Sequence, residues 1–359
     1  VRVLFVDKAM LQARRRPVRG VELFNLQLLE KLTERGLHVA IYAHRFWKGT
    51  LPAEARFIAA PPMPAVWMQA PGALVHGRRL AMREGAFDAL LLGNVSKGLA
   101  PAARRLWRAG AVRRIVVYAH RATGRKFVRN MRGAPFDVVA VSRRVADRSR
   151  LHCPPDSHVA VHYGLIDPER FAPADLAGRG EDEPVRFGVL GRLDNPWKGA
   201  DDAVEAFKRL PAPLRSRCEL HLIACEQPLE AWERTPGVVT HRWLDHNDVP
   251  AALRRLDCLL VPSRSRETFS QAMVQGMLTG LPVIARDLPV LREKLDEGGG
   301  VVVDSVEAMA QAMTTIASDR ALRVRMGAQA RCVALGRYCF DVQRFIDDWL
   351  APTSALRGR

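Results

Sequence analysis

The order of apolar runs and amphipathic stretches constrains this chain more than any other feature. "VRVLFVD" is a short, nearly unbroken apolar run. "GVELFNLQLLEKLTERG" follows, with Val21, Leu23, Phe24, Leu26, Leu28, Leu29 and Leu32 at helical spacing and Gly36 closing the pattern. "HVAIYAH", "ALLLGN", "RIVVYAH" and "FDVVAVS" repeat the strand signature with helical stretches between them. A strand buried on both faces reads as continuous apolar sequence, and strands alternating with helices build parallel β-α-β units. The series pauses at the polar "FAPADLAGRGEDEP". It restarts with "VRFGVLG", "CELHLIAC", "VVTHRWL", "CLLVPS", "PVIAR" and "GGVVV". At 359 residues the chain exceeds one ordinary core. The prediction is an α/β protein of two domains, residues 1–170 and 185–337, joined by a linker at 171–184. Residues 338–359 carry Phe340, Phe345, Ile346, Trp349 and Leu350 and supply a terminal helix, Tyr338 to Leu350, that returns to the first domain.

Charge separates the halves. The formal net charge is +17. Residues 1–170 hold 30 Lys and Arg against 12 Asp and Glu, whereas 171–359 hold 25 against 26. A coding bias towards Arg explains Arg over Lys but not one basic half and one neutral half. The distribution predicts an anionic partner for the first half: nucleic acid, an anionic membrane or an acidic acceptor. "KGLAPAARRLWRAGAVRR" brings Arg104, Arg105, Arg108, Arg113 and Arg114 together with Leu99, Leu106 and Trp107. It reads as a basic helix with a small apolar patch, suited to a membrane surface, or as a helix with one buried face. "PPMPAVWMQAPG" reads as an acceptor or membrane loop, or as a packed one. The six cysteines form no C-x-x-C pair and indicate free buried thiols in a reducing compartment. No apolar run approaches the roughly 20 residues of a membrane span. The first ten residues, broken by Asp7 and Lys8, read as a core strand rather than a signal peptide. A cytoplasmic protein is expected.

Two loops carry the chemistry. In "GRLDNPWKGADD" a strand ends at Gly191, and Arg192 and Lys198 follow before a helical pattern from Asp201 to Leu210. Loops leaving a parallel sheet face ligands, and two fixed cations suit a diphosphate; alone, they would pass for solvated turn residues. In "VPSRSRETFSQAMVQGMLTGLPVIA" a strand ends at Pro262-Ser263, and a helix is expected from Thr268 to Leu278. Its first N–H groups, at Thr268, Phe269 and Ser270, would form an anion site by geometry and dipole. Glu267 suits sugar hydroxyls or a simple N-cap. Gln275 is expected on the same helix face two turns on.

Together, strand-GR-x5-KG and PS-x3-E-x7-Q-GM-x2-G-x-PVIA resemble glycosyltransferase family 4, of the GT-B fold: two Rossmann-like domains facing across a cleft. "RGVELFNLQLLEKLTERGLHVAIY", "VVAVSRRVADR" and "VHYGLIDPERF" are similar to the family's N-terminal segments, so the likeness spans nearly the whole chain. The resemblance implies a nucleotide-sugar donor, a uridine diphosphate sugar by family habit, and transfer with retention to give an α-linkage. It places Arg192 and Lys198 on the diphosphate, Glu267 on the transferred sugar, and Thr268, Phe269 and Ser270 on the phosphates. Gln275 falls on the nucleotide ribose, Gly20 on a loop close to the donor, His120 facing the donor sugar, and Trp243 and Leu244 near the base. Domain closure would align the acceptor. Members that work at membranes use their N-terminal half on lipid-linked acceptors, which implies an anionic or lipid-linked acceptor in envelope polysaccharide synthesis. It also implies a peripheral site on the inner face of the membrane.

Three positions depart from the pattern: Arg19-Gly20 for a double glycine, Tyr163 for Asn, and Gln275 for Glu, whose amide lacks the charge that strengthens hydrogen bonds. No D-x-D triplet ends a strand, and His152, His158 and His162 lack ligand spacing, so neither metal nor cofactor is expected. Competing readings are another GT-B enzyme, such as a sugar-nucleotide epimerase, and a basic nucleic-acid-binding protein. The latter lacks a recognition motif, so no nucleic-acid partner is expected. "GVLGRL" lacks the G-x-G-x-x-G of a dehydrogenase.

Overall fold

The computed structural model describes residues 1–12, 20–63, 66–173, 183–225, 230–242 and 244–351. The chain divides into two compact units, Val1–Leu165 with Phe340–Arg359, and Ile166–Cys339. The first unit holds seven parallel strands: β1 (Arg2–Val6), β2 (His38–His44), β3 (Arg56–Ala60), β4 (Phe87–Leu92), β5 (Val112–Ala119), β6 (Asp137–Ala140) and β7 (Val159–Val161). They lie in the order β3-β2-β1-β4-β5-β6-β7. The second unit holds β8 (Val185–Leu190), β9 (Cys218–Cys225), β10 (Val238–Arg242), β11 (Cys258–Val261), β12 (Val283–Arg286) and β13 (Gly300–Val303), in the order β10-β9-β8-β11-β12-β13. In each sheet the order reverses beside the first strand. Ligands of open parallel sheets bind beyond the carboxyl ends of strands at such a reversal, here between β1 and β4 and between β8 and β11.

The apolar runs become central strands because both faces are covered. Val3, Phe5, Val116 and Val117 have no exposure in the first unit, nor do Phe187, Leu220 and Ile284 in the second. Each such side chain contributes about 1.5–3 kcal/mol by leaving water.

Four expectations change. The sequence "PPMPAVWMQAPG" is not all loop: a helix, Val66–Glu84, starts inside it and keeps Pro71 within its second turn. A Cβ on Gly72 would lie 2.1 Å from the Tyr42 Oη, so this helix can cross β2 that closely only with glycine there. The predicted terminal helix is broken. One helix ends at Arg337, and a new turn, Val342–Phe345, starts where Asp341 accepts a capping hydrogen bond from the Arg344 N–H at 2.9 Å. Phe340 and Phe345 then pack on Tyr118 and His162 of the first unit. The unit boundary falls at Leu165/Ile166 rather than after 170. Buried Ile166 and Phe171 anchor this segment, and Arg254 donates to the Ala172 and Arg170 carbonyls. Within the predicted linker, 174–182 lie outside the described residues. Finally, Cys153, Cys218, Cys258, Cys332 and Cys339 are free thiols, yet Cys332 is exposed on a helix surface rather than buried. No helix among the described residues is long and apolar enough to cross a membrane.

Candidate functional site

The two loops singled out in the second half meet at the reversal between β8 and β11. Beyond β8 the chain makes a 3-10 turn, Pro196–Lys198, and Gly199 then adopts φ +73°. A Cβ at Gly199 would stand 2.2 Å from the Pro262 carbonyl oxygen, so the β8 loop touches the backbone of the β11 loop. The Arg264 N–H donates to the Trp197 carbonyl at 2.7 Å and joins them again. Across this junction the Lys198 Nζ lies 2.6 Å from the Glu267 Oε1, and the Ser263 hydroxyl donates to the same oxygen at 2.8 Å. Both charged side chains are largely buried, which makes their pairing stronger than on an open surface. Arg192 is half-buried in the same loop, and its guanidinium has no partner among the described residues. This loop cluster therefore holds a committed ion pair and, in Arg192, a cation uncommitted among the described residues.

Supporting contacts that the sequence did not reveal hold the cluster. Arg264 makes two hydrogen bonds to the Asp202 carboxylate, at 3.0 and 2.7 Å, with Arg286 at 3.7 Å. The Arg264 hydrogen bonds hold the Asp202 carboxyl below its ordinary range. Lys294 is fully buried, with its Nζ 4.7 Å from the centre of the Phe269 ring and 5.2 Å from that of Tyr338. Burial pulls its ammonium down to about 8, against the opposing pull of Glu293 and Glu267. One signal was present: Val290, Leu291, Lys294 and Leu295 share one apolar helical face.

The helix after β11 begins later than expected. It spans Gln271–Leu278, and Thr268, Phe269 and Ser270 lie in the loop before it. Arg266 and Ser270 take positive φ, 61° and 62°, which coils the loop before the helix axis is set. Glu267 is therefore not on a helix face shared with Gln275. Gln275 is 8% exposed, and its side-chain amide has no protein partner among the described residues. Leu244 is half-buried beyond the end of edge strand β10, and Trp243 lies outside the described residues.

In the first unit, His120 directly follows β5, and its ring packs edge-on against Phe24 at 4.8 Å. Its Nε2 is buried without a partner among the described residues, as are the Asp7 Oδ2 after β1 and both amide atoms of Asn25. Burial pushes His120 down to about 3 and Asp7 up to about 6. This group of polar atoms was seen only in part from sequence. Gly20 opens the first helix, Gly20–Glu34, and is exposed.

Burial also pulls His162 down to about 4. Both rings stay neutral in the fold, while the unfolded chain takes up protons below about 6.5. Their contribution is complete above that pH and declines as pH falls towards 4, whereas Asp7 acts in the opposite sense below about 6. Replacing His120 with Phe should therefore flatten the acid side of the urea stability curve by about 1.4 kcal/mol per pH unit between pH 6 and 4. Parallel curves for parent and variant would refute this assignment.

The basic stretch does not form a single surface helix. Helix Ala100–Arg108 carries Arg104, Arg105, Trp107 and Arg108, but Leu99 and Leu106 are buried and Trp107 half-buried, so its apolar patch serves the core. Arg113 and Arg114 lie instead on β5, paired with Asp88 and Asp137 at 2.6 Å each. Exposed apolar side chains appear on helix Val66–Glu84, at Met68, Val75 and Met82, beside exposed Arg78, Arg79 and Arg83. Among the described residues no group of three His, Cys, Asp or Glu is placed to hold a metal.

Two parallel-sheet Rossmann-like units, each with its strand order reversing beside its first strand, make the fold of the GT-B type. Residues 184–319, less than half of the chain, match the family described as Glycosyl transferases group 1. The phosphatidyl-myo-inositol mannosyltransferase of Mycolicibacterium smegmatis is 26% identical over 330 residues, 87% of this chain and 84% of its own. Anabaena HepE in complex with UDP-glucose shares the fold at a TM-score of 0.71 and 16% identity, over 100% of both chains. WaaG, a glycosyltransferase involved in lipopolysaccharide biosynthesis, does so at 0.70 and 16%, over 97% of this chain and 99% of its own.

Proposed function

We propose that the protein is a retaining, metal-independent family 4 glycosyltransferase. It moves a sugar from a nucleotide-sugar, a UDP-sugar, to an anionic or lipid-linked envelope glycan of the lipopolysaccharide-core or capsule type, forming an α-glycosidic bond. The observation that carries this reading is the Lys198–Glu267 pair at the β8/β11 reversal, with the uncommitted Arg192 guanidinium in the same loop. The cations offset the charge that grows on the diphosphate as it leaves, and they do so without reorganisation because the loops already hold them. Glu267 accepts hydrogen bonds from hydroxyls of the sugar, and the Gln275 amide bonds the ribose. His120, neutral at physiological pH, offers a hydrogen bond rather than a charge. UDP-glucose in HepE supports the choice of base, and the involvement of WaaG in lipopolysaccharide biosynthesis supports the choice of acceptor. The protein works at the inner face of the membrane, where the basic first unit meets anionic lipid through the Met68–Val75–Met82 face.

Calorimetric titration with UDP, GDP and ADP tests this reading. UDP should bind at least tenfold more tightly than the other two. Failure of all three to bind would overturn the donor assignment.

A further inference from the structure

The first unit contains a cavity of about 1060 Å³ beyond the carboxyl ends of β1, β4 and β5. Five cations stand around it: Lys8 after β1, Lys97 after β4, Arg105 on the following helix, Arg121 after β5 and Lys126 in the next helix. Among the described residues no Asp or Glu lines it. Arg121 donates to the Val95 carbonyl at 3.0 Å, and none of the five has a carboxylate partner among the described residues. Ala70, Leu74, Val95, Ala102 and Phe127 give it an apolar wall, and Gln12, Ser96 and Asn130 also line it.

Each half of this lining says something about a ligand. Surface charges normally alternate in sign, so converging cations without a counter-charge repel one another, and a bound dianion relieves that repulsion. Arginine presents a fork that matches phosphate oxygens and lysine a point charge, and both are present. The volume matches the upper end of small-molecule sites, about 300–1,000 Å³, well beyond what a phosphate alone occupies. The apolar wall fits a hydrocarbon portion joined to it.

We infer that this cavity binds a phosphate ester of an apolar chain, with the phosphate among Lys8, Lys97, Arg105, Arg121 and Lys126 and the chain along Leu74 and Phe127. The inference rests on the transferase reading only in making this ligand the phosphorylated lipid end of the acceptor. It goes further than an anionic acceptor by naming the group recognised and the residues that recognise it.

The test is calorimetry with hexyl phosphate, hexanol and inorganic phosphate, on the parent and on a Lys97→Ala/Lys126→Ala variant. Both lysines are exposed, so the variant keeps the fold, and unchanged UDP affinity checks this. Hexyl phosphate should bind at least tenfold more tightly than either hexanol or inorganic phosphate. The double variant should lose at least tenfold, and raising salt should weaken binding. Equal binding of hexyl phosphate and hexanol, or no loss in the variant, would overturn the phosphate site. Dihexanoyl phosphatidic acid and glucose 6-phosphate separate the sources: tighter binding of the lipid supports the inference, and tighter binding of the sugar phosphate overturns its apolar half. The two readings fail separately. A parent that binds UDP but not hexyl phosphate refutes this cavity alone, and one that binds hexyl phosphate but no nucleotide refutes the transferase.

Discussion

Replacing Lys198 with Ala should lower turnover of the nucleotide-sugar by about 10²–10³-fold, the usual loss when one preorganised partner of a developing negative charge is removed. UDP affinity should fall as well, because in the proposed function the same ammonium faces the diphosphate before and after transfer. The change also leaves the buried Glu267 carboxylate with the Ser263 hydroxyl as its remaining partner among the described residues. Breaking a largely buried pair on one side costs about 3–5 kcal/mol, more than deleting both charges together. The Lys198→Ala/Glu267→Gln double variant should therefore recover much of the stability lost in Lys198→Ala while staying inactive. That separates chemistry from folding. Turnover within tenfold of the parent, in a folded Lys198→Ala protein, would exclude this loop from the donor site.

Gly199→Ala should be almost as damaging, though it removes no functional group. The left-handed backbone at φ +73° costs a residue with a Cβ roughly 1–2 kcal/mol. The added methyl would meet the Pro262 carbonyl oxygen at 2.2 Å, and forcing the two loops apart costs roughly a further 1–3 kcal/mol. Because Ser263 follows Pro262 directly and Glu267 lies five residues on in the same loop, the displacement moves the carboxylate away from Lys198. A fall in the urea midpoint together with a loss of UDP binding is expected. A variant as stable as the parent would show that the loops do not touch as described.

Much of this architecture was readable from local pattern. Strand Val185–Leu190 and the β11 run "CLLV" lie where the apolar stretches placed them, because a strand covered on both faces must be continuously apolar. Helix Val66–Glu84 escaped because Pro61 and Pro71 advertise a loop, whereas the chain keeps Pro71 in the second turn and packs Gly72 on Tyr42. The helix after β11 was placed three residues early, since strain at Arg266 and Ser270 leaves no trace in periodicity. The apolar patch credited to Leu99 and Leu106 belongs to the core, because a helical stripe does not reveal whether water, lipid or a sheet lies opposite.

By itself the sequence determined the alternation of strands and helices, the two series of strands and the residue types on the β8 and β11 loops. These depend on neighbours within a few residues, and hydrophobic period and turn chemistry carry that information along the chain. Only the tertiary structure decided that Lys198 meets Glu267 and that Arg264 grips Asp202. It also decided that Arg113 and Arg114 serve β5, and that Lys8, Lys97, Arg105, Arg121 and Lys126 surround one cavity. Those pairings join residues tens of positions apart, and strand order, which no local pattern encodes, is what brings them within reach.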